Sequence, residues 1–187
     1  MSTLCDEQKM QELIAAMAVD EDQIERIEGL LEDYPEDPRL HFLRGSNLIG
    51  KGRLIEAHRA LTRAVALAPD FAIARFQLGF FQLTSGEAEN ALETWGRLDR
   101  LPDGHYLRKF VDGLRCLIRD DFAGTIANLE QGMAINEENP PLSRDMGLII
   151  ENCRPLLAGA GAAENGEEAA SQTSLILQQF SRRSKMH

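Results

Sequence analysis

The sequence predicts an all-α protein, an α-solenoid of antiparallel helix pairs, on three observations. Gly45, Gly79, Gly113 and Gly147 recur at intervals of 34 residues. The segments around them carry apolar residues with helical periodicity, and capping side chains and prolines fall at the ends of those segments. A fixed period of this length marks stacked two-helix units, each burying its apolar face against the next.

The elements follow in order. Residues 4–18 and 20–33 read as a degenerate helical pair, with Ile24, Ile27, Leu30 and Leu31 on the apolar face of the second helix and Pro35 after it. Asp20 with Gln23 reads as a capping box at that helix's start. Asp37-Pro38 then places a capping side chain before a proline at a first helical position and opens the best-defined unit, residues 38–71. Gly52 and Gly86 mark the turns inside successive units, Ser85-Gly86 strongly so, and Ala57 and Ala91 keep the same interval. Leu61, Trp95 and Leu129 are again 34 apart, as are Pro35 and Pro69. Asn139-Pro140 opens a last helix over 141–153, which repeats only the first half of a unit and which Pro155 is expected to stop.

The recurring types have a physical reason. Where two antiparallel helices cross closely, a side chain larger than Gly or Ala would force their axes apart. The large residue of the series, Leu61, Trp95 or Leu129, then fills space between neighbouring units. If Trp95 is fully buried, its removal costs roughly 3–5 kcal/mol.

A small residue at position 8, Gly at the turn, Ala at position 20, a large apolar residue at 24 and Pro at 32 resemble the tetratricopeptide repeat. Residues 38–71 match best, with Gly45, Leu48, Gly52, Leu54, Ala57, Leu61, Ala64 and Pro69. The next copy keeps Leu78, Gly79, Gly86, Ala91 and Trp95. The third is the most divergent: it keeps Gly113, Phe122 and Leu129 but has Thr125 and Gly132 where the family has alanines. At position 4, where the family places a large aromatic, stand His41, Arg75, Lys109 and Ser143, so the contact made there must differ. The resemblance implies a right-handed, TPR-like superhelix whose first helices line a concave face.

Four segments are expected: an acidic helical pair (1–37), three units with a capping helix (38–157), a flexible linker (158–172) rich in Ala, Gly, Glu and Asn, and a short amphipathic basic tail (173–187). The tail carries Leu175, Ile176, Leu177 and Phe180, followed by Arg182 and Arg183.

Charge narrows the partners. Residues 1–37 hold twelve acids against Lys9 and Arg26, so this segment alone accounts for the formal charge of −10. Neither nucleic acid nor an anionic membrane is expected as a partner, because both require clustered Lys and Arg. A basic partner surface is compatible with the acidic segment, which otherwise serves as a solvated face. Hydrophobic residues make up 43% and charged residues 27%, the balance of a chain that folds. Met1–Met10 has no basic region followed by an apolar stretch, and no window approaches 18 apolar residues, so neither a secretion signal nor a membrane span is expected. Cys5, Cys116 and Cys153 are too few and scattered for a disulfide framework, and reduced thiols in a cytoplasmic protein are the simplest reading.

The resemblance also assigns a binding face. Family positions 2, 5, 9 and 12 correspond to Phe42 and Ile49 in the first unit, with Arg39 and Ser46 as polar exceptions. They correspond to Ile73, Phe76, Phe80 and Leu83 in the second, and to Leu107, Phe110, Leu114 and Leu117 in the third. The family's polar clamp for a terminal carboxylate is not matched: Phe42, Ser46, Gln77, Leu107 and Val111 stand at its places. Soluble chains rarely leave so many apolar side chains bare except to bind. Three occupants fit: an apolar or amphipathic peptide of a partner protein, this chain's own termini, or a second copy in a homo-oligomer. In size, acidity and apolar groove the chain is similar to the small repeat chaperones that hold translocator proteins for bacterial type III secretion.

No enzyme, cofactor or metal centre is expected. His41, His58, His105 and His187 lie far apart without metal-ligand spacing, and no phosphate loop or nucleophile triad occurs. Cys116 occupies a position whose counterparts are Leu48, Gln82 and Ile150, so it reads as a small hydrophobe. The expected role is a protein-interaction module: adaptor, scaffold or small chaperone. The alternative is a self-assembling structural or regulatory subunit.

Overall fold

The structure is a computed structural model that describes residues 4–20, 22–159, 173, 176 and 177; among these the chain is all-helical and contains no strand. The chain divides into two compact units, one running through Leu78 and the other starting at Gly79.

The first unit contains α1 (Glu7–Val19), α2 (Ile24–Asp33), α3 (Pro38–Gly50), α4 (Leu54–Leu67) and the start of α5 (Ala72–Thr84). Asp6 caps α1 by accepting the N–H of Lys9 at 2.9 Å. The expected capping box at Asp20 does not form: α2 begins at Ile24, and its N-cap Gln23 makes no side-chain capping bond. Asp20 instead ends α1, its carboxylate accepting the Asp22 N–H at 3.0 Å, a local turn that outcompetes helix initiation. Cys5, Met10, Leu13, Ile27 and Leu40 form one core cluster that joins α1, α2 and α3.

Asp37 caps α3 as the Asp-Pro pair predicts, accepting the Arg39 N–H at 2.9 Å. It is fully buried, and it also accepts the Cys5 N–H at 2.9 Å and the Arg39 guanidinium at 3.1 and 2.8 Å. Arg39 in turn donates to the Cys5 carbonyl at 2.5 Å. One ion pair thus holds both backbone groups of Cys5 and pins the segment before α1 onto the start of α3.

The second unit contains the rest of α5, then α6 (Ala88–Trp95), a 3-10 segment (Gly96–Arg100), α7 (Tyr106–Ile118), α8 (Phe122–Ile135) and α9 (Pro140–Gly159). The 3-10 segment starts at Gly96, whose lack of a side chain weakens the α-helix there. Asn139 caps α9 through the Leu142 N–H at 3.2 Å. Pro155 does not stop α9, contrary to expectation; the helix runs through it to Gly159. Pro155 and Glu151 both face solvent, so water can take the carbonyl that the proline ring leaves unbonded. The first two residues of the expected linker, 158 and 159, are therefore helical, and residues 160–172 lie outside the described residues.

The 34-residue beat appears as three equivalent contacts. A Cβ placed on Gly45 would come within 2.7 Å of Leu61 Cγ. On Gly79 it would fall 2.6 Å from Trp95 Cδ1, and on Gly113 2.7 Å from Leu129 Cδ2. Each pair joins position 8 of a first helix to position 24 of its second. At Gly147, among the described residues, only the Met133 methyl comes within 4 Å of an added Cβ, at 3.7 Å.

Two further features repeat on the same beat. The turns at Gly52 (φ 70°) and Gly86 (φ 87°) are left-handed, and the third turn reaches the same region through Asp120 (φ 57°). His41 bonds the carbonyl of Pro35 at 2.8 Å, and Arg75 donates to the carbonyl of Pro69 at 3.0 and 2.8 Å. In the first two units the polar residue at position 4 thus holds the proline turn six residues upstream, a different contact from the one a large aromatic would make there.

Candidate functional site

The expected face falls partly in each unit. In the first, Phe42 and Ile49 lie seven residues apart on α3 and Ile73 opens α5; all three are half-buried. Phe42 meets Phe71 edge-on, with ring centroids 5.5 Å apart. Phe76 is fully buried. Ser46, between Phe42 and Ile49, and Arg39 are half-buried as well.

In the second unit every position of the expected face is covered. Phe80 and Leu83 are buried, and on α7 so are Leu107, Phe110, Leu114 and Leu117. Part of the cover comes from α8: a Cβ on Gly132 would fall 2.5 Å from the Phe110 ring. The absence of alanine at this position in the third repeat is therefore what admits Phe110. Tyr106 meets that ring edge-on, centroids 5.8 Å apart. Burial and the neighbouring Glu138 carboxylate push the Tyr106 hydroxyl up to about 12, so it stays protonated.

The C-terminal segment supplies a contact at the end of the same helix. Thr173, Ile176 and Leu177 are helical. The Thr173 hydroxyl lies 3.1 Å from the carbonyl oxygen of Leu117 and within hydrogen-bond reach of the Asp120 carboxylate. Its single proton is shared between these two acceptors. Ile176, one helical turn on, is 4% exposed, and Leu177 is half-buried. The other tail residues singled out in the sequence, Leu175, Phe180, Arg182 and Arg183, lie outside the described residues.

Sequence reasoning missed both members of this contact. Asp120 was detectable, since it sits 34 residues after Gly86 at a turn where Asp can adopt positive φ. Thr173 carried a weaker signal, a hydroxyl residue just ahead of the Leu175–Leu177 apolar run.

The thiols are chemically quiet. Cys5, Cys116 and Cys153 are free and buried. Burial is the main cause raising each of them, with Asp6 and Asp37 adding at Cys5 and Asp121 at Cys116, and Cys153 reaches about 11. Among the described residues, no three His, Cys, Asp or Glu side chains group to hold a metal ion. No helix there is long and apolar enough to cross a membrane.

What the arrangement offers is a half-open apolar strip on α3 and α5 in the first unit, and a closed face on α7 in the second. No family model, no curated protein and no solved structure matches this chain.

Proposed function

We propose that this chain is a non-enzymatic, tetratricopeptide-like interaction module, an adaptor, scaffold or small chaperone of the cytoplasm. In this reading its helix pairs stack as a right-handed superhelix. It holds an apolar or amphipathic helical peptide against the first helices. The repeat reading is supported by the three equivalent contacts Gly45–Leu61, Gly79–Trp95 and Gly113–Leu129. The binding reading rests on one observation: Phe42, Ile49 and Ile73 stay half-open while the other apolar positions of the series are buried. The acidic excess of residues 1–37 in the same unit favours a peptide whose polar side is basic.

The test is a titration with labelled helical peptides carrying Leu, Ile or Phe at i, i+3, i+4 and i+7 and Lys or Arg elsewhere. Binding at least tenfold tighter than that of a scrambled control, and lost in a Phe42→Asp, Ile73→Asp double variant that melts like the parent, supports the reading. Equal binding of helix and scramble, or an unaffected double variant, ends it.

A second reading, a self-assembling structural or regulatory subunit whose face is filled by its own tail or a second copy, has a specific observation on its side: the Thr173 hydroxyl lies 3.1 Å from the Leu117 carbonyl oxygen at the end of α7.

A further inference from the structure

We propose that α2 and α4 form a docking surface for a second copy of this chain. The acidic ridge of α2 lies antiparallel along the basic ridge of α4 in the other copy, and the reciprocal contact forms at the same time. The surface uses second helices of the first unit. It therefore leaves the strip of Phe42, Ile49 and Ile73 alone and does not depend on the proposed peptide binding.

The two ridges share one spacing. On α2, exposed Glu25, Gly29 and Glu32 follow at i, i+4 and i+7, with exposed Glu28 beside them. On α4, exposed Ile55, Arg59 and Thr62 follow at the same intervals, with exposed Arg63 beside them. Such intervals keep each set on one helix face, and the buried residues of both helices lie on the opposite face. The helices flank one stretch of α3, because Arg44 reaches Glu28 on α2 at 3.1 Å and Glu56 on α4 at 4.0 Å.

The ridges also match in charge and size. An antiparallel crossing that sets Gly29 against Thr62 of the second copy brings Glu32 to its Arg59 and Glu28 to its Arg63. Nothing lies within 4 Å of a Cβ added at Gly29, so the small pair lets the two axes approach closely. Ile55, 74% exposed, lies one turn beyond Arg59 and extends the contact past the charged pairs. Between Arg59 and Arg63 the surface of α4 is dished, an open hollow of about 380 Å³ that leaves room for a side chain of the opposite ridge. Neither Glu32 nor Arg59 makes an ion pair among the described residues. Glu56, three residues before Arg59, is held by Arg53 at 2.8 and 2.6 Å. Arg63 meets Glu36 at 3.5 Å with both side chains exposed, a pair that exchanges at little cost.

The occupant is a second copy because one molecule carries both halves of the match. A two-fold axis then makes the contact twice and closes the pair, whereas a partner bearing one ridge alone satisfies half of the surface.

Sedimentation equilibrium of the full chain tests this at concentrations up to about 0.5 mM. In about 0.15 M salt, charges further apart than roughly 8 Å are screened, so the net charge of −10 does not hide local pairing. The variants are Arg59→Glu, Glu32→Arg and Gly29→Leu, the last of which fits the open side of α2 yet holds the axes apart. The unmodified chain is expected to dimerise and go no further. Each variant is expected to melt no lower than the parent and to dimerise at least tenfold more weakly. An equimolar mixture of Arg59→Glu and Glu32→Arg should recover the parent's affinity to within about threefold, since each copy then offers the charge its neighbour needs. A monomeric unmodified chain over the whole range overturns the proposal. So does a dimer that none of the three variants weakens, a mixture that associates no more tightly than its components, or an unmodified chain that assembles beyond the dimer.

Discussion

Gly79 lies flat against the indole of Trp95: a Cβ at Gly79 would sit 2.6 Å from Cδ1 and 2.7 Å from Cε2 of a ring that is itself fully buried. A rigid, enclosed ring cannot retreat as a flexible side chain could. Gly79→Ala is therefore expected to destabilise by about 1–3 kcal/mol through overpacking, even though alanine is the better helix former by roughly 1 kcal/mol. Gly29 is the control, exposed on α2 with nothing within 4 Å of an added Cβ. Gly29→Ala is expected to stabilise by about 0.5–1 kcal/mol. Urea denaturation of both variants checks the pair. Trp95→Ala should cost roughly 3–5 kcal/mol in the same assay.

Asp37 makes stability depend on pH. Burial alone would raise its carboxyl, but the Arg39 guanidinium and the Cys5 and Arg39 N–H groups outweigh that and hold it below the ordinary carboxylate range. A carboxyl depressed in the folded chain adds stability that is fully present above its unfolded value, about pH 4, and is lost as the pH falls through the folded value. Asp37→Asn is expected to cost about 2 kcal/mol at pH 7, with the gap to the parent narrowing as the pH falls through the depressed value of the folded carboxyl. Denaturation curves at pH 7, 4 and 2.5 measure it; a gap of constant size across that range contradicts the assignment.

Much of the local architecture was legible because the repeat is written in residues whose size is their role. Gly45 and Leu61 share a beat since one is the hollow and the other the filling, and spacing alone pairs them. Asp37-Pro38 and Asn139-Pro140 start helices by a chemistry confined to adjacent residues. Features that depend on distant groups were not legible. Pro155 stays inside α9 because its side of the helix is wet, and α2 starts late because Asp20 finds a backbone partner two residues on. The two faces of an apolar first helix have the same periodicity, so Phe110 on its way into α8 and Phe42 at a half-open surface carry one sequence signature.

The turn at Asp120 separates backbone from side-chain effects. At φ 57° a residue with a Cβ carries a penalty of about 1 kcal/mol that glycine escapes. Asp120→Gly should therefore relieve the turn while deleting the acceptor for Thr173. The expected result is a melting temperature equal to or above the parent's, together with faster exchange of the Thr173 amide. Asp120→Ala removes the same acceptor without relieving the turn and should be less stable than Asp120→Gly by about 1 kcal/mol. If both variants melt alike, the left-handed turn does not carry this cost.

Phe110 and Phe42 should part ways when each is cut back to alanine. The Phe110 ring is fully buried and touches both Gly132 and Tyr106, so Phe110→Ala opens a cavity that a neighbouring glycine cannot refill. A loss of roughly 3–5 kcal/mol is expected. Phe42 is half-exposed and leans edge-on against Phe71 only along one side, so Phe42→Ala forfeits an aromatic pair and part of its burial, about 1–2 kcal/mol. Affinity for a basic amphipathic helix should show the opposite order, dropping at least tenfold in Phe42→Ala but remaining near the parent's in Phe110→Ala at temperatures where that variant stays folded. Thermal melts paired with peptide titrations give both quantities for each variant. A Phe110→Ala protein that is folded yet has lost the peptide, beside a Phe42→Ala protein that keeps it, would move the binding face from the half-open strip on α3 to the covered face of α7.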